Sequence, residues 1–359
     1  MSATNGRGTL SWSSPLGLSV LGVGAALPGA PVSTEALLAQ VAQVFGVDVR
    51  RRGGVLAARL GIQTRHISRA LERRFEGTRK GHTNAELAAQ AVDLALKQAG
   101  ARVSDLGYLI AHTATPGELM PPNVSQVARL LNYTGAFVEL RQACTGFANA
   151  LVFASGILGP KSGLVAIVGS ETGSVYFDPL TVQMDNSQLV NLVQMGDGAA
   201  AVVLGPSGGV ENRGLTHVFF GQCGEGRPPG FRLVGGGSNA PGPCLPQFAH
   251  EFTQVRSGGA LLFERGAEVA VSMGIDLCEV DYIIPHQANG HMAALLARHL
   301  GIEPERVFVN ANRVGNTGSA AMWLAFAELH GRLVPGKALL ALGAEATGHL
   351  FGGFLYVHG

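Results

Sequence analysis

Short apolar runs alternate with stretches of helical periodicity along most of this chain. The segments GLSVLGVGAAL, LGYLIAHTA and GLVAIVGSE, at residues 17–27, 106–114 and 163–171, are apolar almost throughout and are broken by glycine rather than by charge. Residues 83–100 instead repeat apolar side chains at the spacing of one helical face. Strands that are apolar on both faces are typical of sheets covered by helices on both sides. The alternation therefore predicts a layered α/β fold with mostly buried sheets.

The chain carries little charge for its length. Charged residues make up 14% of its 359 residues and hydrophobic residues 47%, whereas an average soluble domain is roughly 25% charged. A chain of this composition must bury much of its surface, some of it against another subunit. Its length suffices for two domains. We find neither a secretory signal nor an apolar stretch long enough to cross a bilayer, so we expect no membrane span.

Several common kinds of site are not indicated. The four cysteines show no CxxC spacing, which favours a reducing, cytoplasmic setting. Gly22 and Gly24 follow a strand-like run, but the third glycine of a dinucleotide fingerprint is missing. His286 and His291 are five residues apart, without an HExxH pattern or a carboxylate cluster, so we expect no metal site.

One segment is strongly basic although the chain as a whole has a formal net charge of +1. Residues 50–80 contain ten lysines or arginines against two acids, Glu72 and Glu76. Such a segment is either a solvated helical face or a docking surface for an acidic carrier protein or a phosphate-bearing substrate. It lacks interleaved aromatic residues and any known binding motif, so nucleic acid is not the expected partner.

Three short motifs carry candidate chemistry. Cys144 lies in QACTGF, between a strand-like run and an apolar helix whose N-terminus would lower the pKa of its thiol. His286 lies in IPHQAN after a strand, and Asn316 lies between glycines in GNTGSA. Each has a plain alternative: a buried inert cysteine, a structural histidine, a turn-forming asparagine. All three are predicted in strand-to-helix turns, which gather where layered α/β folds bind ligands.

These motifs resemble those of a known enzyme family. ACTGF, PHQAN and GNTGSA are similar to the active-site motifs of the β-ketoacyl-acyl-carrier-protein synthase III group of the thiolase superfamily, in the same order along the chain. LGIQTRHI, GDGAAAVVL and the glycine-rich C-terminal segment are similar too. The resemblance implies a five-layered αβαβα fold of two pseudo-repeated halves, residues 15–207 with the cysteine and 208–359 with the histidine and asparagine. It also implies a homodimer.

The resemblance assigns roles. Cys144 would take an acyl group from acyl-coenzyme A or an acyl-carrier protein. His286 and Asn316 would stabilise the enolate of a decarboxylating malonyl-type thioester. The oxyanion hole would use the Cys144 backbone N–H and that of Gly343 or Gly348. No permanently bound cofactor is implied, because the substrates arrive on coenzyme A or on 4'-phosphopantetheine.

Departures from the usual pattern concern the substrate. Arg59 and Asn289 are expected to contact it, but Val55 stands where a tryptophan usually completes the nucleotide clamp. His291 replaces an arginine that helps to dock the carrier protein. Met120 stands where a phenylalanine of the partner subunit often closes the acyl pocket, and a flexible methionine would admit another acyl chain. We therefore expect a specialised member that serves secondary metabolism.

Three hypotheses remain open at this point. The chain is a condensing enzyme that forms a carbon–carbon bond with a malonyl-type or β-keto thioester. Alternatively, it is an acyltransferase in which His286 acts as general base for an alcohol or amine acceptor. The third hypothesis is a non-catalytic subunit of a heteromeric complex, against which the intact set of Cys144, His286 and Asn316 argues.

Overall fold

The elements of the fold follow the predicted alternation. The computed structural model describes residues 11–69, 71, 82–159, 162–206, 213–237 and 246–359. Up to residue 206 the elements are β1 (Ser11–Ala26), β2 (Val32–Ser33), α1 (Thr34–Phe45), α2 (Arg50–Leu60), β3 (Thr64–Arg65), α3 (Asn84–Gln98), β4 (Leu106–His112), α4 (Asn123–Leu131), β5 (Ala136–Leu140), α5 (Gly146–Ile157), β6 (Leu164–Glu171), α6 (Asn186–Gln194) and β7 (Gly198–Pro206). Beyond it they are β8 (Gly214–Gln222), β9 (Phe231–Val234), β10 (Gln247–His250), α7 (Phe252–Ser272), β11 (Tyr282–Pro285), α8 (Met292–Leu300), α9 (Ala311–Val314), α10 (Ala321–His330), β12 (Ala338–Glu345) and β13 (Leu350–Val357).

Two sets of strands with matching order form the main sheet. The nine strands run in the order β11-β12-β13-β8-β1-β7-β6-β4-β5. Read outward from the centre, β1-β7-β6-β4 and β8-β13-β12-β11 repeat the same pattern of antiparallel and parallel pairs. A parallel bridge between Ile283 and Val307 stands where β5 pairs with β4 in the first set.

The strand β1 belongs to both sets. Its first residues, Ser11 to Pro15, pair with β8, and its remainder from Leu18 pairs with β7. The pairing register shifts on both sides of β1, between Pro15 and Leu18 against β8 and between Val20 and Gly22 against β7. The two sets are therefore joined by continuous hydrogen bonding.

Helices cover the sheet in three layers. α3 and α4 pack on strands of the first set, and α7 and α8 pack on strands of the second. α5 contacts β4 and β6 as well as β8 and β13, and α10 likewise contacts strands of both sets. α5 and α10 thus form a middle layer between the two sets. This arrangement confirms the predicted layered α/β architecture, with the order α, β, α, β, α.

Aromatic packing and helix caps account for much of this order. Phe147 of α5 meets Trp323 of α10 edge-on at 6.0 Å, and Trp323 stacks on Phe354 of β13 at 5.6 Å. Such pairs stabilise a core beyond the area that they bury. Side chains cap the starts of two helices: Ser33 caps α1, and Thr83 forms a capping box at the start of α3.

Gly22 and Gly24 serve packing rather than nucleotide binding. A Cβ atom at Gly24 would lie 2.2 Å from the carbonyl oxygen of Ala91, and one at Gly22 would lie equally close to that of Ala95. Both carbonyls belong to α3, so the two glycines let this helix approach β1 closely.

We expect Gly24→Ala to lower the free energy of unfolding by about 2 kcal/mol, because the helix backbone cannot move away without disturbing its own core contacts. Urea denaturation measures this. The control is Gly156→Ala in α5, where nothing lies within 4 Å of an added Cβ. That variant should match or exceed the wild type, by up to about 1 kcal/mol, because alanine favours helix. Equal effects of the two substitutions would contradict the packing argument.

Candidate active site

Cys144 lies in the predicted place, in the turn between β5 and α5. Thr145 is the N-cap residue of α5, and both its backbone N–H and its hydroxyl donate to Oε2 of Glu345, at 2.9 and 2.7 Å. The ring of His112 fills the space beside Gly146, where a Cβ would lie 2.4 Å from Nδ1. The turn that carries Cys144 is therefore held by the end of β12 and by the end of β4.

The thiol is not activated in the way the helix start suggests. Cys144 keeps some exposure to solvent, but the protein around its sulfur is dense enough for burial to raise the pKa of the thiol well above its ordinary value. The carboxylates of Glu345 and Glu171 raise this pKa further. The prediction of a lowered pKa is therefore wrong for the unliganded site, first because the sulfur is buried and second because Glu345 places an opposing charge at the N-terminus of α5.

His286 follows β11 directly, as predicted. Its backbone N–H donates to the carbonyl of Leu342 at 2.8 Å, which holds the residue beside β12. Burial lowers the pKa of His286 to about 4, so the imidazole is neutral at pH 7. Within the described part of the chain its Nδ1 has no hydrogen-bond partner. A neutral, buried imidazole can donate a hydrogen bond to a substrate without bringing a charge.

Asn316 does not lie in a strand-to-helix turn, and that prediction is wrong. The chain reaches it from the short helix α9 through Gly315, whose φ of 75° redirects the backbone. Asn316 forms a parallel bridge with Met195, with bonds to Gln194 and Gly196 on either side. Its Oδ1 accepts from the N–H of Gly318 at 3.1 Å, which leaves the Nδ2 donors for a ligand.

The three turns meet at one end of the sheet. The hydroxyl of Ser319, three residues beyond Asn316, donates to the carbonyl of Gln142 in the cysteine turn at 3.2 Å. Glu345 joins the same turn to β12, the parallel neighbour of the strand that ends before His286. The turns of Cys144 and Asn316 are therefore hydrogen-bonded to each other, and β12 links the turn of His286 to that of Cys144.

Gly343 and Gly348 differ in their surroundings. Gly343 lies inside β12 opposite Gly352, and a Cβ there would lie 2.7 Å from the ring of Phe147. Gly348 lies in the turn between β12 and β13, outside the paired residues. Of these two glycines, Gly348 is therefore the one whose backbone is not part of the sheet ladder.

The predicted substrate contacts lie at different places. Arg59 is exposed near the end of α2, and the N–H of Gly290 donates to Leu60 beside it at 2.8 Å. Asn289 is half-buried in the same loop, where its side chain caps the N–H of His291. Met120 is 86% exposed on a separate loop. The structure therefore brings together Arg59 and Asn289, and leaves Met120 on the surface of the monomer.

Only part of the basic segment is a surface. Arg65 and Arg69 are buried and donate to backbone carbonyls, Arg65 to that of Val193 and Arg69 to that of Phe177. These two arginines are structural. The basic residues 73, 74, 79 and 80 lie outside the described residues. Among the described residues of the segment, the exposed arginines are the three with which α2 begins and Arg59 near its end.

The three arginines at the start of α2 line a groove of about 900 Å³ formed by Asp48, Val49, Arg50, Arg51, Arg52, Val55, Leu56 and Asn186. Positive charges at a helix N-terminus oppose the helix dipole. Asp48 offsets one of them through Arg50 at 2.6 Å, but both side chains are largely exposed and such pairs stabilise little. The groove is therefore suited to an anionic ligand.

Three buried polar residues of the site were not predicted. Glu171 and Glu345 end β6 and β12, and His112 ends β4. Burial lowers the pKa of His112 to about 3, and its Nε2 accepts from Trp323. A sequence signal existed: His112 and His286 are 174 residues apart, as are Glu171 and Glu345.

Comparisons with known proteins agree with this geometry. The family described as 3-oxoacyl-[acyl-carrier-protein (ACP)] synthase III matches residues 138–224, and its C-terminal counterpart matches residues 272–357. The 3-oxopimeloyl-[acyl-carrier-protein] synthase of Rhodothermus marinus is 33% identical over 341 residues, covering 91% of this chain and 90% of that protein. The chain belongs to the 3-oxoacyl-acyl-carrier-protein synthase III family. The recognised resemblance is confirmed, and the chain is a condensing-type enzyme.

Other relatives support the assignment. The β-ketoacyl-acyl-carrier-protein synthase III of Rubrobacter xylanophilus is 31% identical, covering 90% of this chain and 93% of that protein. Among solved structures, AbyA1, a tetronic acid condensing enzyme, has a TM-score of 0.82 at 28% identity and covers 95% of this chain and 100% of its own. The priming β-ketosynthase of the R1128 polyketide pathway, at 24% identity and a TM-score of 0.76 over 96% of this chain and 97% of that one, shares the fold. The thiolase-like fold is thereby confirmed.

Neither a membrane-spanning helix nor a metal-binding cluster is found among the described residues. None of their helices is long and apolar enough to cross a membrane. Over the same ranges, no group of three or more histidine, cysteine or acidic side chains is arranged to hold a metal ion.

The raised pKa of Cys144 has a measurable consequence. Because the thiolate is the reactive form, we expect the rate of alkylation by iodoacetamide at Cys144 to keep rising above pH 9.0, the ordinary thiol value. Peptide mass spectrometry at each pH assigns the label, and Cys144→Ser removes it. A rate that levels off below pH 8 would show that the thiol is activated in the free enzyme.

Proposed function

We propose that this chain catalyses a decarboxylative Claisen condensation through an acyl-enzyme on Cys144. The observation that carries the proposal is that the turns bearing a thiol and a primary amide are hydrogen-bonded to each other, and that β12 links the turn bearing a neutral imidazole to them. Family membership supports the same chemistry. The donor of this decarboxylative step is a malonyl-type thioester, and the acyl group arrives on coenzyme A or on an acyl-carrier protein.

In the first half-reaction, the sulfur of Cys144 attacks the thioester carbonyl. A new C–S bond forms, the bond to the carrier sulfur breaks, and the leaving thiolate takes up the proton of Cys144. The backbone N–H of Cys144 supplies one donor to the oxyanion. We assign the second donor to Gly348, because sheet pairing and Phe147 surround Gly343. One such donor contributes about 3 kcal/mol to the transition state.

In the second half-reaction, the donor loses its carboxylate as CO₂ and leaves an enolate. His286 and the Nδ2 of Asn316 donate hydrogen bonds to the enolate oxygen. The carbanion carbon attacks the acyl carbonyl, the C–C bond forms, the bond to the Cys144 sulfur breaks, and the released Cys144 thiolate takes up a proton from water. The low pKa of His286 suits this role, because the imidazole stays neutral and can donate across the neutral pH range.

The groove along α2 is the proposed path of the substrate carrier. Its arginines offer charge to the phosphates of coenzyme A or phosphopantetheine, and Arg59 with Asn289 lies at the inner end of the same helix. The bond from Gly290 to Leu60 supports this path, because it places the loop after His286 against α2. Met120 would line the acyl pocket across a homodimer interface, consistent with its exposure in the monomer.

A role in secondary metabolism remains part of the proposal. It is supported by the likeness to AbyA1, a tetronic acid condensing enzyme. The homodimer is supported by the edge strand β5, where Phe137 is 39% exposed. The division into residues 15–207 and 208–359 is supported by the matching strand orders. The cytoplasmic setting stays a prediction.

The roles of the three residues predict different defects. Cys144→Ala should form no acyl adduct with any acyl-coenzyme A or acyl-carrier protein. Asn316→Ala should acylate at close to the wild-type rate and lose about 100-fold in condensation, as removal of one oxyanion donor does elsewhere. Intact-mass spectrometry follows acylation, and release of labelled CO₂ follows condensation.

Two outcomes of this experiment would overturn the proposal. Acyl transfer to an alcohol or amine without CO₂ would make the chain an acyltransferase. Absence of any adduct on wild-type Cys144 would make it a non-catalytic partner. An acylation defect in Asn316→Ala as complete as in Cys144→Ala would refute the assigned role of Asn316.

If the groove binds the substrate carrier, a substitution in it should weaken substrate binding without slowing the chemical step. Arg51→Glu should raise KM for the carried substrate about fivefold, as the loss of about 1 kcal/mol of charge interaction would, with kcat unchanged. Steady-state kinetics at low and high salt measure this, since added salt should shrink the difference. The matched control is Lys97→Glu on α3, whose side chain is 69% exposed. An equal rise in KM for the control would place the docking surface elsewhere.

A further inference from the structure

Two buried glutamates hold the starts of the two middle-layer helices. Oε2 of Glu345 accepts the N–H and the hydroxyl of Thr145, at 2.9 and 2.7 Å, just before α5. Oε2 of Glu171 accepts the N–H and the hydroxyl of Ser319, at 3.0 and 2.8 Å, just before α10. Each glutamate also accepts a threonine hydroxyl on its other oxygen. Both carboxylates thus accept from N–H and hydroxyl donors of the protein, while burial raises the pKa of Glu171.

The two contacts are reciprocal. Thr145 and Ser319 are 174 residues apart, the same separation as between Glu171 and Glu345. Glu171 ends β6 of the first strand set but binds the turn of the second, and Glu345 ends β12 of the second set but binds the turn of the first. Each carboxylate therefore joins the end of a strand in one set to the helix start that belongs to the other set.

The two turns held in this way carry different halves of the proposed chemistry. Thr145 directly follows Cys144, so Glu345 fixes the nucleophile. Ser319 lies three residues beyond Asn316, whose side chain caps Gly318 in the same turn. A Cβ at Gly318 would lie 2.6 Å from Oε2 of Glu171, so this carboxylate is packed directly against the asparagine turn.

We propose that Glu345 and Glu171 are positioning residues, of which Glu345 sets the reactivity of Cys144 and Glu171 sets the placement of Asn316. This inference rests on the proposed function for the assignment of the two half-reactions. It adds an electrostatic role for Glu345. The carboxylate of Glu345 accepts from the backbone N–H of Thr145, next to Cys144, and its negative charge opposes the positive end of the α5 dipole.

Other groups around Cys144 do not account for its reactivity. The pKa values of His112 and His286 are lowered by burial to about 3 and about 4, so both rings are neutral above pH 6. Asp197 faces Glu171 and is itself bound by Ser68 and Ser174. Among the described residues, the carboxylates that act on the thiol are Glu345 and, to a lesser extent, Glu171.

The test begins with a substrate-independent measurement. Glutamine at position 345 keeps an oxygen acceptor for Thr145 and removes the charge. We expect Glu345→Gln to shift the pH profile of Cys144 alkylation by iodoacetamide to lower pH, and Glu171→Gln to shift it less. A profile identical to the wild type in Glu345→Gln overturns the role assigned to Glu345.

The second measurement separates the half-reactions. Glu171→Gln should slow CO₂ release from enzyme acylated in advance by about tenfold or more, while the acyl adduct forms at close to the wild-type rate. In Glu345→Gln the pH profile of acylation should move and condensation of the pre-acylated enzyme should change less. Equal losses in both half-reactions for both variants would make the carboxylates merely structural.

Thr145 variants keep the test decisive if the glutamine variants do not fold. Thr145→Val removes one donor from Glu345, leaves its charge less neutralised, and should move the alkylation profile to higher pH, the opposite sign to Glu345→Gln. Thr145→Ser restores the hydroxyl and should restore the profile. Equal profiles for the valine and serine variants overturn the proposal.

Failure of the inference and failure of the proposed function give different results. If wild-type enzyme forms no adduct with any thioester, the proposed function fails, while alkylation still tests Glu345. Alternatively, the wild type is acylated and catalyses condensation, while the glutamate variants leave the pH profile of Cys144 alkylation and the rates of both half-reactions unchanged. In that case only the inference about Glu345 and Glu171 fails.

Discussion

The middle layer of helices is the constraint on which the rest of the structure depends. α5 and α10 are enclosed by strands of both sets, so their first turns must lie where the strands of those sets end. Two glycines permit this: Gly146 at the start of α5 leaves room for His112, and Gly343 of β12 leaves room for Phe147. Close packing thereby brings a nucleophile, its neighbouring carboxylates and the histidine strand to one place.

The same packing determines the protonation states of the site. Burial raises the pKa of Cys144 and lowers that of His286, so both side chains are neutral in the free enzyme. A neutral pair suits a reaction whose negative charge appears only on the substrate, first as a tetrahedral oxyanion and then as an enolate. Hydrogen-bond donors that are already in place stabilise such charge without reorganising at the moment of reaction.

Local patterns in the sequence predict most of the elements, and three motifs predict the reactive residues. The helix start at Thr83 follows from capping chemistry between neighbours, and the burial of β4 and β6 follows from apolar runs. The errors concern contacts between distant residues. In the sequence, Arg65 belongs to a basic segment typical of a surface. In the structure it is buried and donates a hydrogen bond to the carbonyl of Val193, 128 residues away in the chain.

Burial, and after it long-range charge, explain the wrong prediction for the thiol pKa. The thiol of Cys144 looks activated until Glu345, 201 residues away in the chain, is placed on the helix start. No local pattern contains that contact. The constant spacing of 174 residues between matching histidines and glutamates was present in the sequence, but it gains meaning only when the strand orders are seen to match. β1 pairs with β7 along one part and with β8 along another. Removal of either strand set would therefore leave an unpaired strand at the edge of the sheet and expose one face of α5 and α10. The two strand sets should therefore unfold together in one cooperative transition.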